Sequence, residues 1–281
     1  MRTRLGQLVL SPNLRFRVQR WTVQTPKWHG RDALRLGILS DIHWGFAGVD
    51  HGFMARVRAR LMALEPDIIL FLGDLSGGSS DRARQANVPP GAESLRGLTA
   101  PMGCFGILGN HDWHDDPEAH DRRSGPVSAA LHLQEAGFHV LQNDVVHMGD
   151  AEVWLAGLDS QQAFKGRDGE PKRTGNDDLT ATLKKVSGDD PVVLMAHEPD
   201  VFPKLQDSRV VLTLSGHMHG GQIRPFGRAL YAPSEYGTCY DYGIFENEGR
   251  HLIVSGGLGC TRLPLRIGIV PEITLVELRA P

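Results

Sequence analysis

Cysteine is scarce in this chain, and its few copies are far apart. The 281 residues contain three cysteines, Cys104, Cys239 and Cys260. An odd number with no Cys-x-x-Cys pair argues against a disulfide scaffold and against a cysteine zinc site. We therefore expect free thiols in a reducing compartment, and a fold that depends on its core rather than on covalent cross-links.

Long apolar runs are also missing. Uninterrupted apolar segments are short, as in Ile68–Leu72, whereas a membrane-spanning helix needs about 18 residues. The first 20 residues contain neither the apolar stretch of a secretory signal nor an Arg-Arg pair. These features predict a cytoplasmic protein, either free or held peripherally at the inner face of the membrane.

The chain has no large excess of charge of either sign, because its formal net charge is -3. This balance argues against a specific nucleic-acid partner. The first 35 residues differ, since they contain eight basic residues and one acidic residue, Asp32. Such a stretch suits contact with anionic lipid head groups, or it forms a strand edge whose arginines face water. The oligomeric state is left open.

Short apolar runs stopped by small or polar residues recur along the chain and predict the buried strands of an α/β fold. They lie at residues 34–39, 67–72, 104–108, 191–195, 210–214, 252–255 and 273–278. Apolar spacing predicts helices at 52–65, 127–136 and 178–186. The segment 76–101, which contains Pro89-Pro90 and several glycines, predicts a loop with one or two helical turns near 93–98. We find no linker and expect a single domain over residues 1–281.

Five of these strands run into residues that commonly bind metals. The residues are Asp41, His43, Asp74, Asn110, His197, His217 and His219. Because ligands bind at the carboxyl ends of strands in an α/β sheet, we expect these side chains to converge. Any one of these residues alone is weak evidence for a metal site. The seven together are more ligands than one tetrahedral ion binds. The set predicts two divalent or mixed-valence ions, and its imidazoles favour Mn, Fe or Zn over Ca.

Five motifs follow one another along the chain: Asp41-x-His43, Gly73-Asp74, Gly109-Asn110-His111-Asp112, His197 and Gly216-His217-x-His219. This order resembles the calcineurin-like metallophosphoesterase superfamily. Residues 215–222 and the segments 256–259, 263–266 and 271–273 are similar to a bacterial branch that includes phosphodiesterases of lipid-linked substrates.

The resemblance implies a four-layer sandwich of two mixed β-sheets flanked by helices, with the metal site at the strand carboxyl ends. Residues 1–33 would then form a basic N-terminal strand or arm, and residues 227–281 would supply C-terminal strands that complete the second sheet.

The resemblance also implies a role for each motif residue. One ion would be held by Asp41, His43 and His219. The other would be held by Asn110, His197 and His217. Asp74 would bridge the two ions, His111 would lie beside them without binding, and Asp112 would orient the His111 ring.

The expected activity is that of a two-metal phosphohydrolase, namely a phosphodiesterase that acts on a phospholipid or a lipid-linked diester. A hydroxide between the ions would attack phosphorus in line while His111 assists. A cyclic-nucleotide or nucleic-acid phosphodiesterase and a non-catalytic metal-binding scaffold are the alternatives.

Several residues near the motifs have two interpretations each. Arg262 and Arg266 either contact a phosphate or face solvent. Trp44 and Phe46 either line an apolar substrate groove or belong to the core. His114 either contacts the substrate or lies at the surface.

Overall fold

The computed structural model describes residues 8–9, 15–30, 32–166 and 171–281. The strands are β1 Leu8–Val9, β2 Arg17–Gln24, β3 Leu34–Leu39, β4 Ile68–Phe71, β5 Cys104–Gly106, β6 His139–Val140, β7 Asp144–Met148, β8 Val153–Gly157, β9 Phe164–Lys165, β10 Arg173–Thr174, β11 Val192–Met195, β12 Val210–Ser215, β13 Gly243–Asn247, β14 Arg250–Val254, β15 Arg266–Ile267 and β16 Glu272–Arg279. The α-helices are α1 His51–Met62, α2 Asp81–Glu93, α3 Asn110–His114, α4 Pro117–Arg122, α5 Ser128–Glu135 and α6 Leu179–Lys184. Short 3-10 helices lie at Gly149–Ala151, Pro199–Lys204, His219–Gly221 and Pro225–Gly227.

Two six-stranded sheets carry the fold, and both are mixed. The first has the order β2-β16-β3-β4-β5-β6, in which β3 to β6 run parallel and β16 runs antiparallel to β3. The second has the order β13-β14-β12-β11-β8-β7, in which the four central strands run parallel and both edge strands run antiparallel. The parallel strands point their carboxyl ends toward the predicted metal ligands.

The core is divided by the sheets into three apolar clusters. The cluster between the sheets joins residues of both, such as Leu36 with Val193 and Leu70 with Leu214. A second cluster packs helices α1, α2 and α5 on the outer face of the first sheet, and a third packs α6 on the second sheet. Sheets buried on both faces between helices are the four layers that the sequence predicts, so the predicted fold class is confirmed.

Helix α2 corrects the prediction of a loop over residues 76–101. The side chain of Ser80 caps the helix by accepting a hydrogen bond from the Ala83 N–H at 3.2 Å. Pro89 and Pro90 lie inside the helix, where each proline removes a backbone donor. The prolines indicated a loop, but the packing of the buried face of the helix on the α1 and α5 layer outweighs the local cost.

The C-terminal strands divide between the sheets instead of completing the second one. Strands β13 and β14 join the second sheet, whereas β16 inserts between β2 and β3 of the first. Ile273 and Leu275 of β16 belong to the outer cluster, and Val276 and Leu278 belong to the cluster between the sheets. A strand that is apolar on both faces is buried on both sides only in the interior of a sheet. This explains why β16 lies between β2 and β3 of the first sheet.

The basic N-terminal stretch is described in part. Residues Arg17–Gln24 form an edge strand parallel to β16, and Arg17 pairs with the buried Glu272 at 3.0 Å. Arg2, Arg4 and Arg31 lie outside the described residues. In the part of the chain that the structure covers, none of the helices is both long and apolar enough to cross a membrane.

Candidate metal centre

The seven predicted ligands lie together where the central strands of both sheets end. All seven are buried, with exposed fractions of 7% or less. Six of them fall into two groups, Asp41 with His43 and His219, and Asp74 with His197 and His217. The seventh, Asn110, is an amide and is buried beside them. Within each group the candidate ligand atoms lie within 4.8 Å of one another. The structure therefore brings together two candidate cation sites at the predicted edge.

One carboxylate oxygen lies between the two groups. Asp74 Oδ2 is 3.6 Å from His43 Nε2 in the first group and 3.3 Å from His197 Nε2 in the second. The other oxygen, Oδ1, accepts the backbone N–H of His111 at 2.9 Å. This hydrogen bond fixes the carboxylate plane, so that Oδ2 is available to both groups.

Three of the four histidines are oriented by backbone carbonyls. His43 Nδ1 lies 3.2 Å from the Ser76 carbonyl, His197 Nδ1 lies 2.6 Å from that of Leu72, and His217 Nε2 lies 3.1 Å from that of Pro233. A carbonyl can only accept, so each of these ring nitrogens carries the proton. The opposite nitrogen is left with its lone pair facing the centre, which is the usual arrangement of a metal-binding histidine.

Several atoms at the centre that could bind a metal ion lack a suitable hydrogen-bond partner among the described residues. Asn110 Oδ1 and His197 Nε2 are buried and make no hydrogen bond. His43 Nε2 and His219 Nε2 face each other at 3.1 Å. Buried polar atoms are normally satisfied, and an unsatisfied one calls for an explanation. The mixed imidazole, carboxylate and amide set fits first-row transition ions, which would satisfy these atoms.

The backbone at the ligands is held in an unfavourable conformation. Positive φ angles occur at Asp41 (50°), His43 (45°), Asp74 (61°), His217 (67°) and His219 (49°). Non-glycine residues rarely adopt this region, and such conformations cluster at functional sites. Loop-to-loop hydrogen bonds hold them here, for example from the Asp41 N–H to the Gly73 carbonyl at 3.0 Å.

Two glycines let the loops approach each other. A Cβ on Gly109 would lie 2.3 Å from Asp74 Oδ1, and a Cβ on Gly73 would lie 2.3 Å from the Gly109 nitrogen. Gly73 also has a φ of 95°. The two glycines are therefore required for Asp74 and Asn110 to share one site.

Burial sets the charge of three of the four histidines, whereas the Asp74 and Asp41 carboxylates outweigh burial at His197 and raise its pKa well above its usual value. Burial lowers the pKa of His43 and that of His217 to about 4, and it lowers the pKa of His219 well below its usual value. These rings are neutral at neutral pH and can offer a lone pair without first losing a proton. Burial disfavours the charge on Asp74, but attraction from His197, His111 and His43 together outweighs burial and holds the pKa of Asp74 well below its usual value.

His111 lies beside the ligands without joining either group. Its ring centroid is 5.1 Å from that of His43, and it lines the cavity above the centre. Burial alone would lower the pKa of His111, but the Asp74 and Asp115 carboxylates outweigh burial and raise it. A cationic side chain at this position suits an anionic substrate.

The role predicted for Asp112 is wrong. Its carboxylate accepts the backbone N–H groups of Gly109, Asp74 and Leu75 at 2.8–2.9 Å and makes no contact with the His111 ring. Asp112 is the third residue of helix α3 and points back to the helix start, as an acidic residue in a capping box does. It therefore joins the Asp74 loop to the Asn110 loop.

The carboxylate that faces the His111 ring is Asp115, which the sequence analysis missed. Asp115 Oδ2 lies 3.8 Å from His111 Nδ1. Asp115 Oδ1 accepts a hydrogen bond from Arg84 Nε at 2.6 Å, and Arg84 belongs to α2, the helix taken for a loop. The one available signal was the i, i+4 spacing of His111 and Asp115 in a helix.

The structure distinguishes between the two interpretations that the sequence allowed for the arginines and for Trp44. Arg266 is fully buried and donates to the carbonyls of Gly259 and Gly256, so it neither contacts solvent nor reaches a substrate. Arg262 is exposed and lines the cavity. Trp44 is a core residue that packs on His51 with ring centroids 4.5 Å apart.

Phe46 and His114 both lie along a second cleft next to the cavity. His114 is half-buried, its ring centroid is 6.0 Å from that of His111, and burial lowers the pKa of His114 to about 3. Both residues line this cleft together with His111 and Arg262.

The centre opens into a cavity of about 230 Å³. Asp74, His111 and the two histidines of the His217-x-His219 motif line its floor. Leu230, Tyr231 and Leu263 line its mouth and are 71%, 63% and 48% exposed. A polar, strained floor thus lies beneath an apolar rim.

Comparison with known proteins identifies the family. The family model of calcineurin-like phosphoesterases matches residues 34–221. YkuE, an uncharacterized metallophosphoesterase of Bacillus subtilis, is 33% identical over 260 residues, which cover 90% of this chain and 81% of that protein. An uncharacterized metallophosphoesterase of Aquifex aeolicus is 29% identical over 269 residues, which cover 94% and 92% of the two chains.

A transmembrane protein with a metallophosphoesterase domain from Danio rerio is 28% identical over 257 residues. These residues cover 88% of this chain and 54% of the zebrafish protein, so the chain spans about half of that relative. The family match covers the strand ends that carry all seven ligands. The chain therefore belongs to the calcineurin-like phosphoesterase family.

Proposed function

We propose that the protein is a binuclear phosphodiesterase that hydrolyses a phospholipid or a lipid-linked phosphodiester. The observation that carries the proposal is the position of Asp74 Oδ2, which is within 3.6 Å of ligand nitrogens from both groups and lies under the open cavity. When bound, two metal ions would activate a water molecule and neutralise phosphate oxygens. Mn, Fe and Zn suit the donor set.

The two triads and the bridge would hold the ions as follows. Asp41, His43 and His219 would bind one ion. Asn110, His197 and His217 would bind the other, and Asp74 would bind both. The carbonyl-oriented imidazoles keep the ligand set in place without rearrangement.

His111 would act on the substrate directly. Its ring lines the cavity beside Asp74, and Asp115 faces its Nδ1 atom. A proton on this ring places positive charge next to the phosphoryl oxygens, where charge gathers in the transition state. The same proton can pass to the leaving oxygen by general acid catalysis.

The walls of the cavity favour a diester with an apolar substituent. Met218, Ile223 and Pro233 line it together with the exposed rim residues, and its cations are Arg173 and Arg262. A diester carries a single negative charge and two organic groups, one of which needs such a wall. Exposed Tyr231 at the mouth could instead stack on a base, which makes a nucleotide diester the second candidate.

The test combines metal analysis with a panel of substrates. Purified protein is loaded with Mn, Fe or Zn and assayed on bis-p-nitrophenyl phosphate, p-nitrophenyl phosphate, a cyclic nucleotide and a short-chain phospholipid. We expect the diester to be hydrolysed faster than the monoester, and the phospholipid faster than the cyclic nucleotide. Preference for the monoester would overturn the diesterase proposal. Full metal content without any turnover would point to a scaffold.

A further inference from the structure

Exposed apolar side chains are concentrated at the mouth of the cavity. Among the described residues, the large apolar side chains that are exposed are Leu131, Phe226, Leu230, Tyr231, Ile244 and Leu263. Four of these six belong to two segments, residues 221–234 and 256–268, which we call the rim loops. An apolar patch gathered around a functional site commonly marks an interaction surface.

The rim loops form one connected platform. Gln222 Nε2 donates to the carbonyls of Thr261 and Leu263, each at 3.0 Å, and Gln222 Oε1 accepts the Thr261 N–H at 2.9 Å. The Arg224 N–H donates to the Ile267 carbonyl at 2.8 Å. The apolar residues of both loops are therefore presented together.

The rim loops are basic although the chain as a whole is acidic. Neither segment contains an Asp or a Glu, while the formal net charge of the chain is -3. Arg228 and Arg262 are exposed. Arg224 pairs with Asp241 at 2.8 Å, and Arg266 is buried. The exposed charge on this face is therefore positive.

The N-terminal stretch enters the same face. Strand β1 pairs antiparallel with β15 in the second rim loop, with Leu8 opposite Ile267 and Val9 opposite Arg266. The sequence before Leu8 contains Arg2 and Arg4 and no acidic residue. Strand β1, which belongs to the basic stretch noted in the sequence, thus lies beside the second rim loop.

Phe226 is the residue of the rim loops that the fold explains least. It is 98% exposed and has a φ of 58°. A phenylalanine at this conformation is strained, and its side chain gains nothing from the core in return. Asparagine or glycine would suit the turn better, so the ring must serve a contact outside the chain.

We propose that the rim loops dock on an anionic lipid surface, with Phe226 and Leu230 entering the head-group boundary and Arg228 and Arg262 meeting the lipid phosphates. Apolar side chains flanked by basic ones bind such surfaces through both burial and charge. The docking rests on the proposed function in one respect: if the substrate is a lipid, it would pass from the lipid surface directly into the cavity.

The test measures vesicle binding by the full-length protein with Phe226→Asn. Sedimentation with vesicles of equal parts phosphatidylglycerol and phosphatidylcholine is compared with pure phosphatidylcholine. We expect binding to the anionic vesicles, and a roughly ten-fold loss for Phe226→Asn, the size expected for removing one buried aromatic side chain. Leu131→Gln, at an exposed apolar site on α5, is the matched control and should bind as the unaltered protein does.

Three results would overturn the docking proposal. They are unchanged binding of Phe226→Asn, equal binding to neutral vesicles, and a Phe226-dependent dimer in sedimentation velocity, which would make the rim a contact between two copies. Turnover of bis-p-nitrophenyl phosphate is measured in parallel and should be unchanged in Phe226→Asn, because this residue does not line the cavity. Vesicle binding without diester turnover would support the docking and overturn the proposed function. Diester turnover without vesicle binding would support the proposed function and overturn the docking.

Discussion

The seven predicted ligands, of which Asp74, Asn110, His217 and His219 line the cavity, together form what we call the floor. They are at most 7% exposed, whereas Phe226, Leu230 and Tyr231 on the rim loops are at least 63% exposed. The floor is joined by hydrogen bonds between loops from several strands, such as those that Asp112 accepts from three backbone N–H groups. The rim is joined within itself through Gln222. Both regions contain residues with positive φ; all five in the floor are buried, whereas Phe226 and Arg262 on the rim are exposed.

The difference in burial between the floor and the rim supports a division of roles between the two regions. Geometry on the floor is over-determined, so it suits a task that tolerates no displacement, such as holding two cations near one phosphate. The exposed side chains of the rim, such as Phe226 and Leu263, are not among the groups that hold the floor, whereas the buried rim residues Gly259 and Arg266 bond to Asp41 and His219. We therefore propose that the reaction class depends on the floor and that the preference among substrates depends on the exposed side chains of the rim.

The largest expected effect is that of Asp74→Asn on the floor. The amide has nearly the same shape and can still accept the His111 N–H, but it removes the charge that both ligand groups share. We expect loss of metal, and a fall in turnover greater than the roughly 100-fold that loss of a partner outside the ligand set can cost. Metal content by mass spectrometry and turnover of a diester check this. Asp190→Asn, at a surface ion pair with His147, should change neither.

His111→Ala separates binding of the ions from action on the substrate. His111 lies beside the ligand groups but contributes no atom to them, so metal content should stay near normal. We expect turnover to fall by roughly 10²- to 10⁴-fold, the range for loss of a general acid or base. His132, which is half-buried on α5 away from the metal centre, supplies the control variant His132→Ala. Normal turnover in His111→Ala would remove this residue from the proposed function.

The floor could be predicted from the sequence because its residues are tied to strand ends. Apolar runs such as 34–39 and 210–214 mark buried strands, and polar residues directly after them must lie at the sheet edge. The predicted helices 52–65, 127–136 and 178–186 correspond to α1, α5 and α6 within a few residues. The assignment of each ligand to one of two ions came from the resemblance, and it stays a prediction.

The features that could not be predicted from the sequence depend on contacts between segments that are distant along the chain. Helix α2 has prolines in its interior, and its stability comes from packing that no local pattern shows. Because that helix was taken for a loop, Arg84 and its contact with Asp115 were missed. The place of β16 in the first sheet likewise depends on its neighbours rather than on its own residues.

Asp115→Asn should have an intermediate effect, because this residue acts through His111. Its carboxylate faces His111 Nδ1 at 3.8 Å and is itself held by Arg84. A nearby opposite charge shifts a pKa by about 1–3 units, and losing one such unit lowers the protonated fraction of His111 roughly ten-fold at a pH above its pKa. We therefore expect roughly a ten-fold fall in kcat, with KM and metal content retained. Arg84→Gln should lower kcat less, since it loosens Asp115 without removing it. A change in KM or metal content alone would indicate a purely structural role.

The smallest expected effect is that of Leu263→Ser on the rim. Leu263 and Leu131 are both 48% exposed, but only Leu263 lines the cavity, which makes Leu131→Ser a matched control. Removing a half-exposed leucine from a substrate contact costs about 1 kcal/mol, so KM for a short-chain phospholipid should rise about five-fold while kcat is retained. Because the floor is untouched, metal content should not change. If Leu263→Ser lowered kcat or metal content instead, the rim would be part of the same rigid unit as the floor, and substrate preference could not be assigned to the rim alone.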